Sequence, residues 1–339
     1  MKILVGISGG VDSAYTALRL IREGHSVEGA VLKMHEHTDV ISARKAAEEL
    51  NIPLHEIDAT VPFNNIIKKN LVSEYLEGRT PNPCILCNER VKFAALYDFA
   101  EANGFDKIAT GHYARVVSAR DRYAVASAAD AKKDQSYMLY RLSQKILSKL
   151  LLPLSEEDKS NVRRDAGEAG VSASEKKDSQ EICFLPDLSY VDYIESLVGK
   201  TPEGDFVSPD GQILGRHKGI IRYTVGQRKG LGISLGERVF VTDISPESNT
   251  VTLSPKMIGK KEIEITDVVY SGLDEKSELT PLKLTAKLRY TAPKIPVTVR
   301  RTKSGNVLLN FDSEVIAAPG QSAVIYDGDT VMLGGYISK

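Results

Sequence analysis

The chain has 339 residues, of which 42% are hydrophobic and 26% charged, with a formal net charge of −1 and three cysteines. That is ordinary globular composition at a length that calls for two or three domains, and a balanced charge excludes a globally basic nucleic-acid binder, so any RNA contact has to come from local patches. An odd cysteine count does not make a secreted disulfide framework, no apolar run approaches the roughly 20 residues that cross a bilayer, and a start that enters a strand without a cleavage pattern predicts a cytoplasmic protein with no membrane contact.

Residues 2–7 form an apolar run that predicts a buried parallel strand. The run ends at Ser8, Gly9 and Gly10; Val11, Asp12 and Ser13 lead on into an amphipathic helix over 13–23 that stops at Gly24. Between a strand and a helix, a glycine loop aims backbone N–H groups and the positive end of the helix dipole at one point, where a phosphate would bind. Ser8 and Ser13 add hydroxyls, and Asp12 is a carboxylate of the kind Mg²⁺ takes beside phosphate oxygens. Neither the Walker lysine pattern nor GxGxxG is present; the plainer alternative is a tight βα turn.

Strands are predicted over 27–33, 52–57 and 107–113, the last with its outgoing loop, and helices over 39–50, 62–76 and 89–103. Such alternation predicts an α/β fold with a doubly wound parallel sheet and ligands beyond the strands' carboxyl ends, the edge that receives the glycine loop, Leu32, Gly111 and His112. A hairpin over 116–126 follows, then a helix opening at 132–136 and another capped by a Ser155/Asp158 box and ending at Gly170. From about 198, glycine and proline turns separate short strands. The expected domains are 1–197, a small β-rich region over 198–262 and a C-terminal β-barrel over 263–339.

Residues 80–88, TPNPCILCN, make a rigid loop ahead of a helix. A thiol at a helix N-terminus has a lowered pKa, so Cys87, close to the helix expected from Glu89, is expected to be partly thiolate near neutral pH. Cys183 stands far from it in 177–184, KDSQEICF. In a reducing compartment Cys-x-x-Cys points to redox, metal or sulfur chemistry; a structural zinc site would need a second ligand pair, which is missing, and any one cysteine can be a small buried hydrophobe. Two windows without a single acid, 214–230 (Arg216, His217, Lys218, Arg222, Arg228, Lys229) and 281–303 (Lys283, Lys287, Arg289, Lys294, Arg300, Arg301, Lys303), are what a phosphate-binding surface leaves in a balanced chain.

In chain order, SGGVDS, RTPNPCxxCN, GHYAR, KDQSY, KDSQEICF, YTVGQRKGLGI and LRYTAPKIPV resemble the motifs of the tRNA-specific 2-thiouridylases, members of the PP-loop ATP pyrophosphatase superfamily, over essentially the whole chain. SGGxDS alone is shared by many PP-loop enzymes; the cysteine motifs with GQRKGLG are specific. The resemblance implies ATP- and Mg²⁺-dependent replacement of oxygen by sulfur at C2 of the wobble uridine of tRNA. It implies a nucleotide site of Gly6, Ile7, Ser8, Gly9, Gly10, Val11, Asp12, Ser13, Leu32 and Gly111, with Asp12 toward Mg²⁺. Asn82, Pro83 and Cys84 would touch the target base, while Lys133, Asp134, Gln135, Arg289 and Tyr290 contact the rest of the tRNA. Cys183 would carry sulfur as a persulfide, received from a cysteine desulfurase or its relay protein, and Cys87 would either attack it to free sulfide or pair with Cys183 after transfer.

Many members of that family carry aspartate where this chain has Cys84. An ordinary thiol, with a pKa of about 8.5 against about 3.9 for Asp, is a poor replacement anion. By resemblance to cysteine variants of the family, Cys84, Cys87 and Cys183 would instead hold a [4Fe–4S] cluster with one iron open to hydrosulfide, and the persulfide and cluster mechanisms both stand at this point. Two other classes compete: a PP-loop ligase with a nitrogen nucleophile, which needs no cysteine, and a non-catalytic sulfur carrier or RNA-binding scaffold, which needs neither Asp12 nor Ser13.

Overall fold

The computed structural model of the chain describes residues 1–175, 182–277 and 283–339. Lys177 to Glu181 of the KDSQEICF motif, and Pro281 of the second basic window, lie outside the described residues. Strands β1 (Lys2–Gly6), β2 (Ser26–Lys33), β3 (Leu54–Asp58) and β4 (Lys107–Ala109) precede a hairpin of β5 (Ala114–Ala119) and β6 (Arg122–Ser127), and β7 (Leu150–Leu151) follows it. Five of these form a wholly parallel sheet in the order β3-β2-β1-β4-β7. The continuous apolar run of β1 is explained by its place at the centre, where Ile3, Leu4 and Val5 are fully buried under helices on both faces. Strand order reverses at β1, so a crevice opens beyond its carboxyl end.

The helix expected from Glu89 begins earlier, at Pro83. Asn82 caps it by accepting from the Cys84 N–H at 3.2 Å, and proline sits in the first turn. The segment runs on as α-helix Pro83–Cys87, π-turn Asn88–Lys92 and α-helix Phe93–Ala102. The capping box is also corrected: Asp158 alone caps the helix Lys159–Glu168, through Ser160 N–H, while Ser155 belongs to the 3-10 turn Pro153–Glu156.

Strands β8 (Gly204–Val207), β9 (Ile213–His217), β10 (Phe240–Ser245) and β11 (Thr250–Ser254) make a central four-stranded sheet. The C-terminal sheet contains β12 (Lys260–Tyr270), β13 (Leu284–Lys287), β14 (Ile295–Pro296), β15 (Thr298–Arg301), β16 (Val307–Val315), β17 (Ser322–Asp327) and β18 (Thr330–Ile337), in the order β14-β13-β17-β18-β12-β16-β15. Its two ends, β14 and β15, are joined through the single residue Val297, which curls the sheet into a barrel. β12 runs across the boundary expected between 262 and 263, and the β5–β6 hairpin reaches out of the first domain to pair with β18 at Thr330–Ala126.

The parts share cores. Tyr137 and Tyr140 pack with Val324, Tyr326 and Val331 of the barrel, and Phe63, Cys87 and Phe184 pack with Phe206, Ile221 and Val241 of the central sheet. Both β regions grip the loop before the cysteines: Thr80 N–H donates to Pro319 O (2.8 Å), Gln321 donates to Thr80 O (2.7 Å), and the Thr80 and Thr224 hydroxyls are 3.2 Å apart. Among the described residues no helix is long and apolar enough to cross a membrane.

Candidate active site

The phosphate loop turns at Gly9, whose φ of +75° and whose position 2.6 Å from Ser42 Cβ, measured from where a Cβ would stand, both require glycine. Ile7 continues β1, donating to Ala30 O, and Ser13 Oγ donates to Gly10 O (2.9 Å) while accepting from Ser8 N–H (3.1 Å). Ser13 thus shapes the loop from inside. The helix Val11–Arg22 starts directly behind it, and the first amides of a helix lack intrahelical acceptors. Gly111 closes the far side: a Cβ there would stand 2.7 Å from Asp12 C and 2.8 Å from Ser13 N. Leu32 lies near the carboxyl end of β2, and Gly6 closes β1 against Leu96.

Asp12, the carboxylate of this loop, is held at both oxygens. Tyr113 OH donates to Oδ1 at 2.8 Å and Lys159 Nζ to Oδ2 at 2.5 Å. The loop therefore offers one carboxylate that already holds a cation, which fits a Mg²⁺ ligand that shares or exchanges its partner.

On the sulfur side, Cys84 and Cys183 are exposed and Cys87 is buried, its thiol donating to Met34 Sδ at 3.9 Å. Burial pushes all three thiols up, Cys87 to about 11. That overturns the expectation of a partly ionised Cys87: the helix begins at Pro83, so it is Cys84 that sits in the first turn, while Cys87 is interior. Cys84 touches solvent and is still pushed up by partial desolvation. The three thiols stand close enough for charge to couple them, since Cys84 acts on both Cys87 and Cys183, and Cys183 on Cys87.

Lys92 lowers all three and also lowers His112, whose imidazole is pushed down to about 3, chiefly by burial. His112 directly follows Gly111, bonds Thr110 Oγ1 through Nδ1 (2.9 Å) and packs its ring 5.5 Å from Phe93. Gly111, His112 and Lys92 therefore connect the phosphate loop to the cysteines. Sequence reasoning missed Lys92 for a geometric reason: five residues after Cys87 is the wrong face of an α-helix, and only the π-turn brings position i+5 back. It also missed Lys159, for which no local pattern exists.

Other expected residues divide. Asn82 and Pro83 flank Cys84 in the first turn. Gln135 Oε1 accepts from Tyr113 N–H (2.9 Å), and the rings of Tyr290 and Tyr137 are 6.2 Å apart. Lys133 is half-buried just ahead of them. Asp134 is 6% exposed and its carboxylate accepts from Ala128 N–H, Ser136 N–H and Ser136 Oγ, so it braces the turn from inside. Arg289 spans two domains, donating to Val225 O at 2.8 Å. In the basic windows, Arg216 pairs with Asp205, Arg222 with Glu195 and Lys294 with Asp329, and His217 is buried. Arg228 and Lys229 form no ion pair among the described residues, and the 226–230 turn that carries them lies against Arg289.

Among the described residues no three His, Cys, Asp or Glu side chains converge so as to hold a metal.

A parallel sheet with an SGG loop at its switch point, followed by two accessory β regions, defines a PP-loop nucleotide-binding protein of the HUP class. Family models described as tRNA methyl transferase HUP domain, tRNA methyl transferase PRC-barrel domain and aminomethyltransferase beta-barrel domain match residues 1–187, 191–255 and 260–337. The chain is 40% identical to a tRNA-specific 2-thiouridylase MnmA of Clostridioides difficile (strain 630), over all of this chain and 98% of that one, and 39% identical to MnmA 1 of Clostridium botulinum (strain Loch Maree / Type A3), over all of this chain and 99% of that one. A 4-thiouridine synthetase–RNA complex with bound ATP overlaps 58% of this chain and 50% of its own at 19% identity and a TM-score of 0.37. The chain belongs to the tRNA-specific 2-thiouridylase family.

Proposed function

We propose that this protein replaces the C2 oxygen of the wobble uridine of tRNA with sulfur, driven by ATP, in the cytoplasm. The observation that supports this best is the short bridge of Gly111, His112 and Lys92 between a phosphate loop and three mutually coupled cysteines. Residues 6–13, bounded by Leu32 and Gly111, would hold ATP, and Asp12 would hold Mg²⁺, which would supply neutralisation of phosphate charge. The uracil C2 oxygen attacks the α-phosphorus; the O–P bond forms as the bond to pyrophosphate breaks, and the helix N-terminus receives the leaving charge. Adenylation converts a poor leaving group into AMP.

Sulfur arrives as a persulfide on Cys183, loaded by a cysteine desulfurase or its relay. Cys87, as thiolate, attacks the Cys183 sulfur; the Cys87–Cys183 bond forms, hydrosulfide leaves and attacks C2, and the C–S bond forms as the C–O bond to AMP breaks. Two electrons from a thiol reductant then reopen the disulfide. The anticodon base must be everted to reach this volume, with Asn82, Pro83 and Cys84 at the base and Lys133, Gln135, Arg289 and Tyr290 along the RNA.

The test is mass spectrometry of nucleosides from tRNA incubated with the protein, ATP, Mg²⁺, a thiol reductant, and a cysteine desulfurase with L-cysteine as the source of persulfide sulfur. A sulfur-for-oxygen uridine that depends on ATP is expected and disappears in Cys183→Ser. Unmodified tRNA with the wild-type protein would sink the reading.

A further inference from the structure

Residues 6–13, GISGGVDS, contain no Lys, Arg or His, so the phosphate loop has no cation inside its own turn, where a Walker loop carries its lysine. The cation comes from another element. Lys159 is the first residue of the helix Lys159–Glu168, and its Nζ lies 2.5 Å from Asp12 Oδ2. That helix is fixed against Val11–Arg22, the helix that opens at the loop: Val162 and Ala166 share a buried core with Val11 and Ala14, Tyr15 OH donates to Asp165 Oδ2 at 3.4 Å, and Asp158 caps the first turn through Ser160 N–H at 2.7 Å. The backbone of Lys159 is thus held in place beside the loop, and its flexible four-carbon stem lets the ammonium move. Tyr113 OH donates to the other oxygen of Asp12, Oδ1, at 2.8 Å, so the carboxylate stays oriented when the lysine leaves it.

An Asp12 that takes up Mg²⁺ has a dication and an ammonium competing for its oxygens, and the dication attracts them more strongly. The Lys159 side chain is 12% exposed, so an ammonium displaced from Asp12 remains where it needs an anion. The anion that arrives with the cation is the triphosphate. We propose that Lys159 is the phosphate-binding lysine of this site: its ammonium rests on Asp12 while no nucleotide is bound, and passes to the phosphate oxygens that leave as pyrophosphate when Asp12 turns to Mg²⁺. Lys159 keeps its protons and forms no covalent bond. It opposes the negative charge that gathers on those oxygens as the bond between the α-phosphorus and pyrophosphate breaks. The assignment deepens the reading of residues 6–13 as a nucleotide site and rests on it.

The experiment is calorimetric titration of the full-length chain with ATP and Mg²⁺, with inorganic pyrophosphate and with adenosine. A lost charge-assisted hydrogen bond corresponds to roughly ten- to hundredfold in affinity, so Lys159→Gln is expected to weaken ATP and pyrophosphate by about that factor and adenosine by less than about twofold. Unchanged ATP affinity, or an equal loss for adenosine, overturns the proposal. A lysine that only holds Asp12 in place is told apart in the Asp12→Asn background, titrated with pyrophosphate without Mg²⁺. There the lysine has no carboxylate to rest on, so Asp12→Asn is expected to bind pyrophosphate more tightly than wild type, and adding Lys159→Gln to weaken it again by roughly ten- to hundredfold. Equal affinity of Asp12→Asn with and without Lys159→Gln overturns the proposal. This comparison also stands if Lys159→Gln alone does not fold, because the double variant leaves neither partner charged. Wild-type protein that binds neither ATP nor pyrophosphate removes the nucleotide reading and the proposal with it; wild type that binds both, with Lys159→Gln indistinguishable from it, removes the assignment of Lys159 alone.

Discussion

Lys159 places its Nζ 2.5 Å from Oδ2 of Asp12, across 147 residues of sequence and from the first turn of a different helix. The lysine side chain is 12% exposed and the aspartate 30%, so the pair is only partly screened. Removing the lysine leaves the Asp12 carboxylate with the Tyr113 hydroxyl on its other oxygen. Lys159→Met is expected to destabilise the protein by roughly 1–3 kcal/mol, and a double-mutant cycle with Asp12→Asn to show coupling of about 1 kcal/mol or more, read from denaturant midpoints. Coupling near zero would make the pair an incidental contact.

Gly111 is where the second half of the sheet presses on the phosphate loop. A methyl group there would meet loop backbone at 2.7–2.8 Å, and backbone cannot swing aside as a side chain can. Gly111→Ala is expected to displace the loop, raising the Kd for ATP at least about tenfold and costing roughly 1–3 kcal/mol of stability. Calorimetric titration with ATP checks it; undisturbed affinity would mean that the nucleotide does not depend on this face.

Stability should fall on both sides of neutrality. His112 has a folded-state pKa of about 3, below its ordinary 6.5, so its contribution is complete above pH 6.5 and is lost as pH falls toward 3. Cys87 has one of about 11, above the ordinary 9.0, so its contribution is complete below pH 9 and is lost as pH rises toward 11; Cys84 and Cys183 act in the same direction. One such group changes stability by at most about 1.4 kcal/mol per pH unit. Urea midpoints of wild type and His112→Gln at pH 7 and 4.5 should converge at the lower pH. Parallel pH dependence of the two proteins would place a protonatable, hydrated imidazole at 112.

Much of this was legible because it is local. The apolar run of β1, the two glycines and Asp12 fix strand, loop and helix within a few residues, and alternation of elements gives the sheet. What was not legible depends on where chains meet. Asp134 reads as a surface acid in a KDQ motif, yet Ser136 and Ala128 fold around it. Cys87 reads as a helix-terminal thiol until Asn82 and Pro83 start the helix a turn earlier. The grip of Pro319, Gln321 and Thr224 on Thr80 has no local signature, because its partners come from two other domains.

Arg289 carries the last prediction. Its resemblance to an RNA contact and its bond to Val225 O describe two different jobs, phosphate ligand and strut between the barrel and the central sheet. Gly226, beside Val225, would carry a Cβ 3.0 Å from the guanidinium, so the GQRK turn lies directly on it, and Arg228 and Lys229 extend from that turn. Arg289→Ala should weaken tRNA binding in either case, and the salt dependence separates them. Loss of a phosphate contact lowers the slope of log K against log salt by about 0.7–0.9, whereas loss of a strut weakens binding with the slope retained. Since the guanidinium is already bonded within the protein, the retained slope is expected for Arg289→Ala and the reduced slope for Arg228→Ala, both by filter binding across a salt series. A reduced slope for Arg289→Ala would show that the arginine leaves Val225 to meet the RNA, and equal tRNA affinity in both variants would remove this face from the RNA path.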